Sequence, residues 1–213
     1  LSSVSDLVKV GVFTRDDAKD FIRFLESSDE SVRLEAWDSV DNLIEREVLT
    51  LDEVKERKRY FLELLESKDE RVRLGALSSV SDLVKVGVFT RDDAKDFIRF
   101  LESSDESVRL EAWDSVDNLI EREVLTLDEV KERKRYFLEL LESKDERVRL
   151  GALSSVSDLV KVGVFTRDDA KDFIRFLERF LESKDKGVRE YAKGVIKELI
   201  KREVLTRVDL FGL

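Results

Sequence analysis

Carboxylates are the groups in this chain best placed to do chemistry. They cluster as "RDDAKD" (15–20), "SSDES" (27–31) and "LDEVKE" (51–56). Two acids about 5 Å apart, in a pocket that raises one pKa, can cleave a glycosidic bond. The chain has no His to serve as general base or metal ligand and no Cys to serve as nucleophile or thiolate ligand. Its eight glycines are scattered, and none stands in the G-K-[ST] setting of a phosphate-binding loop. Most of the acids fall at helix-capping positions or on solvated faces. No catalytic, cofactor-binding or metal-ligating residue is therefore expected, and no enzyme activity. One set differs. Glu35, Asp38, Asn42 and Glu45 share a helical face and recur as Glu111, Asp114, Asn118 and Glu121. These eight are the candidate binding residues, for a basic peptide or a cation.

The overall charge agrees. Lys plus Arg is 39 and Asp plus Glu is 49, so 39 − 49 gives −10. An acidic chain repels phosphate backbones, so neither nucleic acid nor an anionic membrane is an expected partner. The short basic run "KERKRY" (55–60, 131–136) is interleaved with acids and reads as solvated. There is no apolar run near 18 residues, so no membrane span is expected and the expected setting is cytoplasmic. Met and Pro are absent as well, where average usage would place about ten prolines in this length. Abundant Lys and Glu without Cys or Met suits a thermostable protein.

The elements that must position these acids follow from repetition. Residues 1–76 and 77–152 are identical, and a third copy runs from Leu153 through Glu178. A weaker half-repeat lies inside: "DESVRLEAWDSVDNLIEREVLT" (29–50) parallels "DERVRLGALSSVSDLVKVGVFT" (69–90). Each half-repeat reads as two helices. The first begins at Thr14, Thr50, Thr90, Thr126 or Thr166, each with an acid three residues on, a capping-box pattern. The second begins at Asp29, Asp69, Asp105, Asp145 or Asp185, each a strong N-cap. Gly11, Gly87 and Gly163 fall where a left-handed C-terminal cap is expected. Glu47 and Glu123 occupy that place in the alternate half-repeats, so those ends are expected to close differently.

On the second helix, Val32, Leu34, Ala36, Trp37, Val40, Leu43, Ile44 and Val48 cover an arc of about 200° at 100° per residue. That is too wide for one neighbour and suits a helix packed between its partner and the next repeat. In the last such helix Glu190 and Lys193 stand where Leu34 and Trp37 would be, as a polar terminal cap requires. Leu34, Trp37, Leu110 and Trp113 are thus expected between repeats. The expected organisation is one array over 1–213. It comprises a truncated helix at 1–10, helix pairs at 11–50, 51–90, 91–126 and 127–166, a last pair at 167–205 and a tail at 206–213. That makes about eleven helices. The truncated N-terminal helix is expected to fray or to pair with another copy.

Five copies of D-x-x-V-R, at Asp29–Arg33, Asp69–Arg73, Asp105–Arg109, Asp145–Arg149 and Asp185–Arg189, resemble HEAT and HEAT-like repeats. So do the alanines that follow, Ala36, Ala76, Ala112, Ala152 and Ala192. The resemblance implies an all-α fold, an α-solenoid of stacked antiparallel helix pairs. It implies an Asp–Arg ladder between repeats and a concave surface lined by the second helices. The chain departs from the pattern in lacking the usual first-helix proline. It departs also in its verbatim copies: even exposed Lys19, Lys95 and Lys171 agree. That points to an engineered or concatenated scaffold. The expected role is protein recognition by the second-helix surface, with end-to-end self-assembly through the open N-terminal repeat as the alternative.

Overall fold

The computed structural model describes residues 10–206 and 208–209. The expected truncated helix at 1–10 lies almost wholly outside them. Among the described residues there are fourteen α-helices and no strand. They are α1 (Ala18–Leu25), α2 (Glu30–Trp37), α3 (Val40–Glu45), α4 (Leu51–Lys55), α5 (Lys58–Leu65), α6 (Glu70–Lys85), α7 (Ala94–Leu101), α8 (Glu106–Asp114), α9 (Val116–Glu121), α10 (Leu127–Lys131), α11 (Lys134–Leu141), α12 (Glu146–Lys161), α13 (Ala170–Leu181) and α14 (Lys186–Lys201). Short 3₁₀ turns at Arg15–Asp17, Arg91–Asp93 and Arg167–Asp169 lead into α1, α7 and α13.

Four expected rods are each interrupted once, which turns ten rods into fourteen helices. At Glu56–Arg57 the cause is local. The Arg57 guanidinium donates to the carbonyl of Glu53 at 2.7 Å. The Arg57 amide turns instead to Val54, three residues back. Arg133 repeats this on Glu129 at 2.7 Å. In the Trp-bearing rods the Ser39 hydroxyl takes the carbonyl of Glu35 at 3.2 Å, and its amide tightens onto Ala36. Such side-chain competition for i−4 carbonyls bends helices.

The helix starts follow the expected chemistry. Thr50 Oγ1 accepts from the Glu53 amide and Glu53 Oε2 accepts from the Thr50 amide, a reciprocal capping box. Asp29 Oδ1 accepts from the amides of Ser31 and Val32. The helix ends hold a correction. Gly11, Gly87 and Gly163 are left-handed as expected, at φ +76°, +84° and +83°. Glu47, Glu123 and Glu203 do the same, at +57°, +58° and +60°. Val48 donates to Leu43 at 2.9 Å and Glu47 to Ile44 at 3.0 Å, the two bonds of a Schellman closure. Val88 and Gly87 close α6 in the same way. The glutamates therefore use the glycine's geometry rather than another one, at a steric cost to the L-residue.

The described residues divide into two compact units. One runs to Asp96 and includes Arg122–Val124; the other comprises Phe97–Glu121 and everything from Leu125. In the first unit α1 packs on α2, α5 on α6, and α2 on both α5 and α6. In the second, α8 packs on α11 and α12, α11 on α12, α12 on α14, and α13 on α14. Each second helix is thus held by its own first helix and by neighbouring pairs, which the wide apolar arc requires. Trp37, Phe61 and Phe89 form a row of rings 5.4 Å apart. Trp113, Phe137, Phe165 and Phe173 form another, spaced 5.3, 5.4 and 5.0 Å. Both tryptophans are buried, and Trp37 Nε1 donates to the Leu25 carbonyl of its own pair. Burial of each such side chain contributes roughly 1.5–3 kcal/mol. Leu34 lies on the next second helix, where Gly75 makes room for it, and Leu110 lies on Gly151 in the same way. The duplicated "RFLERFLE" lengthens α13 to 12 residues and buries Phe176 and Phe180 on one face, as a four-residue insertion should.

Candidate binding face

The eight candidate residues sit on the second helices. Glu35 and Glu45 are exposed on α2 and α3, Asp38 is exposed at the C-cap of α2, and Asn42 is half-buried. Asp114 and Glu121 are exposed on α8 and α9, while Glu111 and Asn118 are half-buried. Asp38 accepts from Ser79 on α6 at 3.0 Å, and Asp114 from Ser155 on α12 at 2.9 Å. Both asparagines turn onto a neighbouring acid, Asn42 onto Asp41 and Asn118 onto Asp117. Glu121 is paired with Lys161 at 2.8 Å.

In the second unit these acids crowd one another. Burial, with the Asp114 carboxylate beside it, pushes the Glu111 carboxyl up from its ordinary value. Burial and then the Asp117 and Asp114 charges push Asp158 up, against the opposing pull of Lys161 and Arg202. The exposed ring of Tyr191 on α14 joins this face, its phenol pushed up by burial and by Asp158. The face thus gathers carboxylates from two successive second helices and an aromatic ring from a third. Asp117, Asp158 and Tyr191 are absent from the sequence-based set. They belong to helices whose alignment becomes evident only when α8–α9, α12 and α14 are side by side. Among the described residues no cluster of three or more His, Cys, Asp or Glu could hold a metal ion. No helix there is long and apolar enough to cross a membrane.

The D-x-x-V-R residues act mainly inside a pair. Asp29, Asp69, Asp145 and Asp185 cap their own helices. Arg33, Arg73, Arg109, Arg149 and Arg189 each donate to a serine carbonyl six residues earlier, at 2.5, 2.6, 2.5, 2.6 and 2.7 Å. The same serines, Ser27, Ser67, Ser103, Ser143 and Ser183, accept the aspartate's amide through Oγ. Asp105 likewise accepts from Ser107 and Val108. The link that Arg33 makes to the next pair is to Glu63, at 3.9 Å, and that of Arg109 is to Glu139, at 3.8 Å.

A different ladder joins successive first helices. A cation from one pair reaches the capping-box acid of the next. Arg15 grips Glu53 with two bonds, at 2.7 and 2.8 Å. Lys58 meets buried Asp93 at 2.6 Å, and Lys134 meets buried Asp169 at 2.5 Å. Arg167 pairs with Asp209. The Arg15 bonds hold the Glu53 carboxyl down to about 2. Sequence reading identifies the acids as caps and misses their partners, which lie 35 to 42 residues away.

No family model matches the chain, and no curated protein matches it. Among solved structures it is similar to the archaeal HEAT-like repeats protein from Thermococcus onnurineus NA1. The two share 20% identity over 95% of this chain and 78% of that one, with a TM-score of 0.51. A crystal structure of an engineered protein is also similar, at 17% identity and a TM-score of 0.48. The match covers 91% of this chain and about half, 49%, of that longer one.

Proposed function

We propose that this chain, an all-α repeat protein with the HEAT-like solenoid fold, is a non-enzymatic scaffold that recognises basic peptide segments on its second-helix face. The observation that carries the reading is the crowding of Glu111, Asp114, Asp117 and Asp158 in the second unit. Burial and then the neighbouring acid charges push the Glu111 and Asp158 carboxyls up, which marks a negative field that favours a cation. A basic ligand relieves that repulsion, so binding should weaken as pH falls through the carboxyl range and as salt rises. Surface-spread acids without an enclosing pocket suit recognition better than acid–base catalysis. Verbatim repetition supports an engineered or concatenated origin. The test is a basic peptide library screened against the protein and against a Glu111→Gln, Asp114→Asn, Asp158→Asn variant. Binding that ignores these changes rejects the reading.

A second reading, end-to-end self-association, is favoured by the first pair. Phe24 and Val32 are 48% and 41% exposed, whereas Val72, which stands in the place of Val32 in the next pair, is 6% exposed. Light scattering over a range of concentrations separates the readings. Assembly that disappears in a Phe24→Ser, Val32→Ser variant supports this one, and a strict monomer at high concentration refutes it.

A further inference from the structure

Between α2 and α6 of the first unit lies a groove of about 550 Å³. Its inner lining is apolar: buried Val72, with Leu34 and Gly75 half-buried. Leu34 lies directly against Gly75, where a Cβ would stand 2.7 Å from Leu34 Cδ2. Its outer lining is charged, with exposed Glu35 and Asp38. Asp38 is oriented by Ser79, while the Glu35 carboxylate has no partner among the described residues. Arg71 also lines the groove. Asp69 lines it too, so the charged lining is three carboxylates against one guanidinium.

Apolar depth with a net acidic mouth fits a side chain that has a long hydrocarbon stem and a cationic head. Two carboxylates at the mouth favour the planar, multiply donating guanidinium over a point-charge ammonium. We infer that this groove is a socket for an arginine side chain of a bound peptide, with its stem on Leu34 and Val72 and its guanidinium between Glu35 and Asp38. The inference rests on the proposed peptide-binding role and specifies where one residue of the ligand seats. The repeat reproduces the residue set as Leu110, Glu111, Asp114, Val148 and Gly151. The same two contacts recur there, Ser155 to Asp114 and Leu110 beside Gly151. A second socket of the same kind follows.

The probe is a fluorescein-labelled Gly-Gly-Arg-Leu-Arg-Gly-Gly peptide, with a twin in which citrulline replaces both arginines. Binding is read by polarisation and by amide shifts. The expected results are shifts at residues 31–38 and 69–78 and at least tenfold weaker binding of the citrulline peptide. A Ser78→Trp, Ser154→Trp variant, which fills both grooves from exposed positions, should also bind at least tenfold more weakly. A Lys95→Trp, Lys171→Trp variant, which carries the same bulk at exposed first-helix positions, should bind as the parent does. If the Ser78→Trp, Ser154→Trp variant keeps its helical circular dichroism and binds undiminished, the socket is overturned while recognition by the acidic face stands. If no basic peptide binds the parent protein, both are overturned.

Discussion

Glu47 sits in the left-handed region at φ +57°, and replacing it with glycine should stabilise the protein. The structure contains its own reference. Gly87 closes α6 with the same Schellman bonds, and a Cβ added there would meet only Leu51 Cδ2, at an ordinary 3.8 Å. The cost at this position is therefore torsional rather than a clash. A left-handed L-residue costs about 1–2 kcal/mol, and glycine's greater freedom in the unfolded chain returns about 0.5–1 kcal/mol. The net gain for Glu47→Gly is about 0.5–1 kcal/mol. Glu123 and Glu203 share the conformation at well-separated sites, so the triple glycine variant should gain about 1.5–3 kcal/mol. Guanidinium unfolding followed by circular dichroism measures this as a higher midpoint at unchanged slope. Glu47→Ala separates the causes, because alanine removes the carboxylate but keeps the Cβ. If alanine stabilises as much as glycine, side-chain charge is responsible and the torsional argument fails. If glycine destabilises, it fails outright.

Three further outcomes follow from the same contacts. Glu53 is held at about 2, below its ordinary 4.5, by Arg15. A depressed carboxyl lends stability that is present above the unfolded value and lost as pH falls from about 4.5 to about 2, so Glu53→Gln should flatten the stability profile in that window. Trp37→Ala should cost about 3–5 kcal/mol in chemical denaturation, since it empties a buried site beside Phe61 and leaves the Leu25 carbonyl without its donor. Lys58→Met strands the buried Asp93 carboxylate and should cost roughly 1–3 kcal/mol, with Asp93→Asn on that background restoring part of it. An additive double variant would contradict the pairing.

Helix starts and ends were legible because their chemistry spans three or four residues. Thr50 and Glu53 meet wherever a helix begins there, and Asp29 caps the amides of its own first turn. The wide apolar arc of the second helix likewise announced a stack of pairs, since only flanking helices could cover it. The candidate face was half legible. Helical spacing brings Glu35 to Asp38, but Asp158 reaches Asp117 only through the packing of α12 on α9.

The amino-acid sequence by itself determined that this protein is helical, paired and repeated, because those properties come from periodicity and from caps that close locally. Tertiary structure alone decided which cation meets which capping acid, that Leu34 enters the space left by Gly75, and where a groove stays open between second helices. Val32 and Val108 make the distinction plain. They lie in identical stretches of sequence, yet one is 41% exposed and the other 4%. Burial is set by what surrounds a residue in space, and identical neighbours along the chain do not supply identical neighbours across it.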